Sequence, residues 1–333
     1  MSKSLIRFLL VFLLIHVVAC KNGGNETKVV DEFAFEDSVS LTSADSIVAT
    51  GTFYAWNAKL DNDILVLNSS SRDSVVWVFD FPKLSLKNAF GTLGHSGDEF
   101  ISANWCATTN HGFGLYDMMK KKLFVYDVSE GNIRQAREFN LPEDEDGMAP
   151  PYTKICQYND SLFIVKEDGD ETNLRLMNLA NGKCLSNYHI DLRKADGQPY
   201  TPYDFEISVC GNAVCLAYSY LDRVELLKIT EDNNIVPVCL IGESKFENMP
   251  SDYDLLPTRF ISITHSGDRF YCLRGDKGQS CGREIMEFSL EGDMLKKYRL
   301  DCDATIISVD SKGQMVAVSE TDSHNVFHVY DLK

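Results

Sequence analysis

Apolar positions along this chain fall into short runs, rich in β-branched and aromatic residues and bounded by Gly, Asn, Asp and Pro. None shows the 3.6-residue spacing of an amphipathic helix, so the pattern predicts strands throughout. Six runs repeat one phrase: a large apolar residue, a mostly polar one, then another apolar one. The copies are Val75–Phe81, Leu123–Val128, Leu174–Leu179, Val224–Ile229, Ile285–Leu290 and Val326–Leu332. Aligning Phe79, Tyr126, Met177, Leu227, Phe288 and Tyr330 gives steps of 47, 51, 50, 61 and 42 residues. Their mean of about 50 residues is what a four-stranded antiparallel sheet with turns consumes.

A hairpin partner precedes most copies: Ile64–Leu67, Leu162–Val165, Val214–Tyr218, Arg269–Leu273 and Gln314–Val318. A turn and a further strand follow, as at Ile133–Phe139, Cys184–Ile190, Ile235–Leu240 and Met294–Leu300. The turns carry Asn181-Gly182, Asn233-Asn234 and Gly292-Asp293, which supply the positive φ angles of tight hairpins. Each unit is therefore a meander of strands a to d with the repeated phrase as strand c. The predicted fold is all-β, a six-bladed β-propeller of four-stranded antiparallel blades over residues 28–333. Strand c of the sixth unit falls at the end of the sequence, so an N-terminal strand is expected to complete that blade and close the ring. Val29–Phe35 is the segment predicted to do so.

The N-terminal residues have a different character. Lys3 and Arg7 precede an unbroken apolar run, Phe8–Ile15, too short to span a bilayer. Val17-Val18-Ala19-Cys20 follows and resembles the lipobox of bacterial lipoproteins. That resemblance implies a signal peptide over 1–19, lipidation of Cys20 and a polar tether over 20–27 that lifts the domain from a membrane. Lys21 after the lipidated cysteine implies the outer rather than the inner membrane of a bacterial envelope.

The connector Phe90-Gly91-Thr92-Leu93-Gly94-His95-Ser96-Gly97 and its shorter echo Ile241-Gly242-Glu243-Ser244 resemble the blade-joining loop of NHL-type propellers. With the lipobox and the blade period, the chain resembles the six-bladed, TolB-like propeller lipoproteins of Bacteroidota. Blades two, three and five lack a clear glycine-spaced copy. The resemblance implies architecture and a binding or scaffold role; no catalytic residue can be carried over.

Charge and cysteine content narrow the partners. The formal net charge is −17, and removing 19 of the 333 residues, Lys3 and Arg7 among them, leaves 314 residues at −19. Nucleic acid and anionic headgroups are thereby disfavoured, so the lipid alone is expected to make the membrane contact. Nine cysteines besides Cys20 show no CxxC pair. Cys272 and Cys281 flank a hairpin tip across which a disulfide is possible, as do Cys210 and Cys215; the others read as buried thiols.

The longest variable segments are the d-to-a connections His95–Trp105, Glu143–Tyr152, Lys194–Phe205 and Glu243–Arg259, which a propeller gathers on one face around the channel mouth. Trp105, Tyr152, Tyr200, Tyr203, Asp204, Tyr253, Asp254 and Arg259 are the candidate ligand-binding residues there. Aromatics with carboxylates and an arginine suit a protein, peptide or glycan partner; the competing reading is that the aromatics plug the channel mouth. No cofactor is required. Asp168-Gly169-Asp170 carries oxygens of the kind Ca²⁺ takes, but without further spaced ligands, so solvated turn acids are the better reading. Glu143–Asp146 reads as a solvated acidic loop. No GxSxG or HExxH motif occurs. The histidines are scattered, and the alternative function is a metal-dependent hydrolase or lyase with ligands drawn from several blades into the channel. A purely structural envelope lipoprotein is the third reading.

Overall fold

A computed structural model describes residues 27–49, 54–69, 71–108, 112–129, 132–143, 152–168, 172–190, 204–243, 257–276, 279–321 and 324–332. The described residues begin with three short strands, β1 (Lys28–Val30), β2 (Ser38–Ser40) and β3 (Asp45–Val48). Blade one follows as β4 (Ala55–Asp61), β5 (Ile64–Ser69), β6 (Val76–Asp80) and β7 (Leu86–Phe90). Blade two is β8 (Asn104–Ala107), β9 (Gly112–Asp117), β10 (Lys122–Ser129) and β11 (Asn132–Asn140). Blade three is β12 (Tyr152–Gln157), β13 (Leu162–Asp168), β14 (Thr172–Asn178) and β15 (Lys183–Ile190). Blade four is β16 (Phe205–Cys210), β17 (Ala213–Tyr218), β18 (Arg223–Ile229) and β19 (Ile235–Gly242). Blade five is β20 (Phe260–Ser266), β21 (Arg269–Arg274), β22 (Gly282–Ser289) and β23 (Met294–Ala304). Blade six is β24 (Ile306–Val309), β25 (Gln314–Thr321) and β26 (His324–Asp331), with β3 as its outer strand.

The repeated phrase is strand c of every blade, and its aligned residue is buried in all six copies. In blades one to five the pairing of strands c and d slips by one residue at that position: between Val78 and Phe79, Val125 and Tyr126, Leu176 and Met177, Leu226 and Leu227, and Glu287 and Phe288. The extra residue lies on strand d each time, a bulge that adds local twist to the outer edge of the blade. Apolar side chains form six clusters among the described residues, one per blade-to-blade interface. The sixth–first interface joins Ile306, Val316, Val318 and Phe327 to Leu60, Leu65, Leu67 and Phe79.

The ring is closed by an N-terminal strand, but not by Val29–Phe35. Asp45–Val48 pairs antiparallel with Val326–Val329 and supplies the missing strand. The residues expected to close the ring instead run over blades four and five. β1 adds parallel to β19, with Lys28 opposite Cys239, and β2 adds parallel to β23, with Ser38 opposite Lys297. Between them Phe33 packs on Phe260 and Phe288, at ring-centroid distances of 5.9 and 6.3 Å, and Phe35 on Phe288 at 5.7 Å. The apolar bed between blades four and five explains the misreading: Val30, Phe33 and Phe35 fill that groove, whereas β3 needs only Ile47 against the ring-closing cluster.

All nine described cysteines are free thiols, so neither disulfide considered from the sequence forms. Cys272 is fully buried and adjoins Cys215 across the blade four–five interface, while Cys281 stands half-buried in the hairpin turn. Burial pushes the Cys215 thiol well up, as expected of an inert core thiol. No described helix is long and apolar enough to cross a membrane.

Candidate functional site

The inner strands β4, β8, β12, β16, β20 and β24 line the channel. Each begins on the face where the d-to-a connections arrive and ends on the face of the short a-to-b turns. Four predicted residues stand near the start of an inner strand on the first face: Trp105 is the second residue of β8, Tyr152 opens β12, and Asp204 and Arg259 immediately precede β16 and β20. Tyr200, Tyr203, Tyr253, Asp254, Asp144–Asp146, Gly169-Asp170 and Cys20 lie outside the described residues.

Trp105 is half-buried and stacks on Phe113, with ring centroids 5.3 Å apart, and Phe113 stacks in turn on Tyr126 at 5.0 Å. A rigid aromatic ladder therefore runs outward from the channel wall. Tyr152 is 3 % exposed and packs into the interface of blades two and three, so its ring belongs to the core and not to the surface. Asp204 joins a charge network between blades three and four. Lys166 lies 2.9 Å from Asp168 and 3.5 Å from Asp204, above the Phe205 ring at 4.9 Å. Lys154 binds Glu206 and approaches Asp204 at 3.9 Å. Burial lowers the Lys154 pKa, but Glu206 and Asp204 outweigh it and the net shift is upward, which keeps the ammonium charged. Asp168 also accepts hydrogen bonds from the Thr153 and Thr172 hydroxyls. Its oxygens are thus engaged by protein donors.

Arg259 holds the next junction. Its N–H donates to Ser219 and its carbonyl accepts from Gly275, while its Nε is buried without a partner among the described residues. Nearby Asp222 binds Arg274 at 2.5 Å through Oδ2, and its Oδ1 has no partner among the described residues. The connector glycines serve these junctions. Gly242 leaves β19 at φ +90°, where a Cβ would meet the Asp222 carbonyl at 2.0 Å. Gly91 leaves β7 at φ +76° in the same way. Only glycine adopts such turns at no cost.

Two residues on this face escaped the sequence reading. Tyr54 is 57 % exposed and Trp56 is 65 % exposed, at the start of β4. They belong to the connection from β3 into blade one, the sixth d-to-a connection of the ring. Placing the closing strand at Val29–Phe35 hides that connection. Placing it at Asp45–Val48 would have exposed the aromatic pair in the sequence.

Among the described residues no three acids, histidines or cysteines converge to hold a metal ion. His328 Nε2 bonds the Ser319 hydroxyl at 2.8 Å, and burial lowers its pKa. His265 Nδ1 bonds the Ser208 hydroxyl at 2.9 Å across the channel wall.

Comparison with known proteins agrees with this architecture. The family model described as TolB-like 6-blade propeller-like matches residues 34–201, half of the sequence. The chain belongs to the TolB-like six-bladed propeller family. Solved structures share the fold of this TolB-like propeller at low identity. The β-propeller domain of Cps50 (Swd1) from Myceliophteria thermophila is 9 % identical at a TM-score of 0.51, with 88 % of this chain and all of that one covered. A Bacteroides fragilis protein described as exported is 12 % identical at a TM-score of 0.53, covering 89 % of this chain and all of its own. Comparison with curated proteins gives no match.

Proposed function

We propose that this TolB-like propeller is a lipid-anchored, extracytoplasmic interaction module that docks a partner protein, peptide or glycan on its long-loop face. The observation that carries the reading is the exposed pair Tyr54 and Trp56 on the rim of a rigid inner strand. Large aromatics held in place by a sheet lose little conformational freedom on binding, and Trp, Tyr and Arg dominate interface energetics. Burying either ring under a partner contributes on the order of 1.5–3 kcal/mol. Around the same rim stand the half-buried Trp105, the Lys154–Glu206–Asp204–Lys166 network and the Arg259 guanidinium, which offer charges of both signs for register. The lipobox-like Val17–Cys20 sequence supports an anchor at Cys20, and the similarity to a protein described as exported supports a location outside the cytoplasm.

The test is affinity purification of the tagged full chain from envelope fractions. A stoichiometric partner is expected with the native chain and lost in the Tyr54→Ala/Trp56→Ala variant. A partner retained undiminished by that variant would place the interface elsewhere. Fractionation of a Cys20→Ser variant tests the anchor, which predicts release from the membrane.

A further inference from the structure

The opposite mouth of the channel, on the face of the short a-to-b turns, carries a second constellation. A cavity of about 370 Å³ opens there between the inner strands of blades one, four, five and six. Its walls include Lys59 and Asp61 from β4, Cys210 from β16, His265 from β20 and Asp310 beyond β24. These positions follow from strand alternation: Lys59 and Asp61 are two residues apart on one face of β4, as Ser208 and Cys210 are on β16.

Three of these groups have unfilled bonding capacity. Asp310 is 2 % exposed; its Oδ1 accepts the N–H groups of Lys312 and Gln314, while its buried Oδ2 has no partner among the described residues. A bare buried carboxylate oxygen is costly, so it points to an unseen donor. The Lys59 ammonium makes no ion pair or hydrogen bond among the described residues, although the residue is half-buried. Burial lowers its pKa, with Asp61 opposing, so the cavity disfavours the ammonium until an anion joins it. His265 uses Nδ1 on Ser208 and leaves its other ring nitrogen to the cavity; burial and the neighbouring Lys59 push its pKa down to about 3.

A ligand of one sign leaves one of these groups uncompensated. An anion alone satisfies Lys59 and His265 but not Asp310, and a cation alone does the reverse. We infer that the turn-side channel mouth binds a small zwitterion, an α-amino acid by chemical class, with its carboxylate on Lys59 and His265 and its ammonium on Asp310. The volume lies near the lower end of the ~300–1,000 Å³ typical of small-molecule sites and suits a ligand of that size.

The experiment is a thermal-shift screen of the purified chain against a panel of common L-amino acids, followed by calorimetric titration of the hits. Propionate and ethylamine serve as single-sign controls. At least one amino acid is expected to raise Tm while both controls leave it unchanged. Lys59→Gln is expected to weaken that binding by about tenfold or more, and Met119→Ala, at an exposed position away from the cavity, to leave it intact. Asp310→Asn keeps the Oδ1 acceptor for the turn and carries the same test should Lys59→Gln not fold. The inference is overturned if no amino acid shifts Tm, if a control matches the amino acid, or if binding survives both cavity substitutions.

Discussion

Substitution of Phe327 by alanine tests ring closure directly. Phe327 is fully buried and meets Phe79 edge to face, with centroids 5.0 Å apart, inside the cluster that joins blade six to blade one. Removing a buried phenylalanine costs about 3–5 kcal/mol through lost transfer energy and the cavity left behind. At about 2.1 cal/mol/K of unfolding entropy per residue, each kcal/mol moves the Tm of a propeller of about 300 residues by roughly 1.5 °C, so a fall of roughly 5–8 °C is expected. If blades six and one did not touch, the same ring would face solvent and its loss would cost no more than about 0.5 kcal/mol. Thermal and urea unfolding, followed by tryptophan fluorescence and circular dichroism, separates these magnitudes. The Phe79→Ala variant and the double variant complete a cycle in which the pair is expected to couple by about 0.5–1.5 kcal/mol. A Tm within a degree or so of the native value, with additive single effects, would refute the closed ring.

Other perturbations have equally definite outcomes. Glu225 is 3 % exposed and accepts hydrogen bonds from the Tyr188 and Tyr218 hydroxyls at 2.7 and 2.9 Å and from Arg223 at 2.9 Å. Glu225→Leu removes the shared acceptor of a buried guanidinium and two hydroxyls, and a loss of about 3–5 kcal/mol in the urea midpoint analysis is expected. Phe33→Ala removes a partly buried ring from the groove between blades four and five. It should cost about 2 kcal/mol, below the full-burial range, and speed proteolysis within 31–37 more than within the blades. His265 titrates near 3 in the fold against about 6.5 when unfolded, so the unfolded chain binds the extra proton between those values. Its contribution therefore erodes stability as pH falls from about 6.5 towards 3. His265→Gln should flatten the pH–stability slope in that window by less than about 1.4 kcal/mol per pH unit, because channel water screens the site; an unchanged slope would contradict the burial argument.

How much of this was legible in the sequence depends on how local each signal is. Strand c was readable because Phe79, Tyr126, Met177, Leu227, Phe288 and Tyr330 all face a blade interface, and the same burial recurs in each unit. The closing strand was not readable. Asp45–Val48 contributes one inward residue, Ile47, whereas Val29–Phe35 has the apolar alternation of a strand because it fills a groove elsewhere. That single displacement concealed Tyr54 and Trp56. Tyr152 looked like a rim aromatic by position, yet strand alternation turns it into the interface with blade two. The turn-side cavity had no sequence signature at all. Lys59, Cys210, His265 and Asp310 are scattered over four blades, and only the radial geometry brings them together.

The strap formed by β1, β2 and β3 also orders events in time. Lys28 pairs with Cys239, 211 residues later, and Ser46 with His328, 282 residues later. The first strands to be synthesised thus find partners only after blades four, five and six exist. Until then Val30, Phe33 and Phe35 stay uncovered and the sixth blade lacks its outer edge. Pairings of such sequence separation carry a large loop-closure cost and slow the search for the native state. These pairings cannot form until blades four to six have been synthesised, and a nascent or translocating chain held short of that point carries unpaired strand edges of the kind that invite chaperones or aggregation.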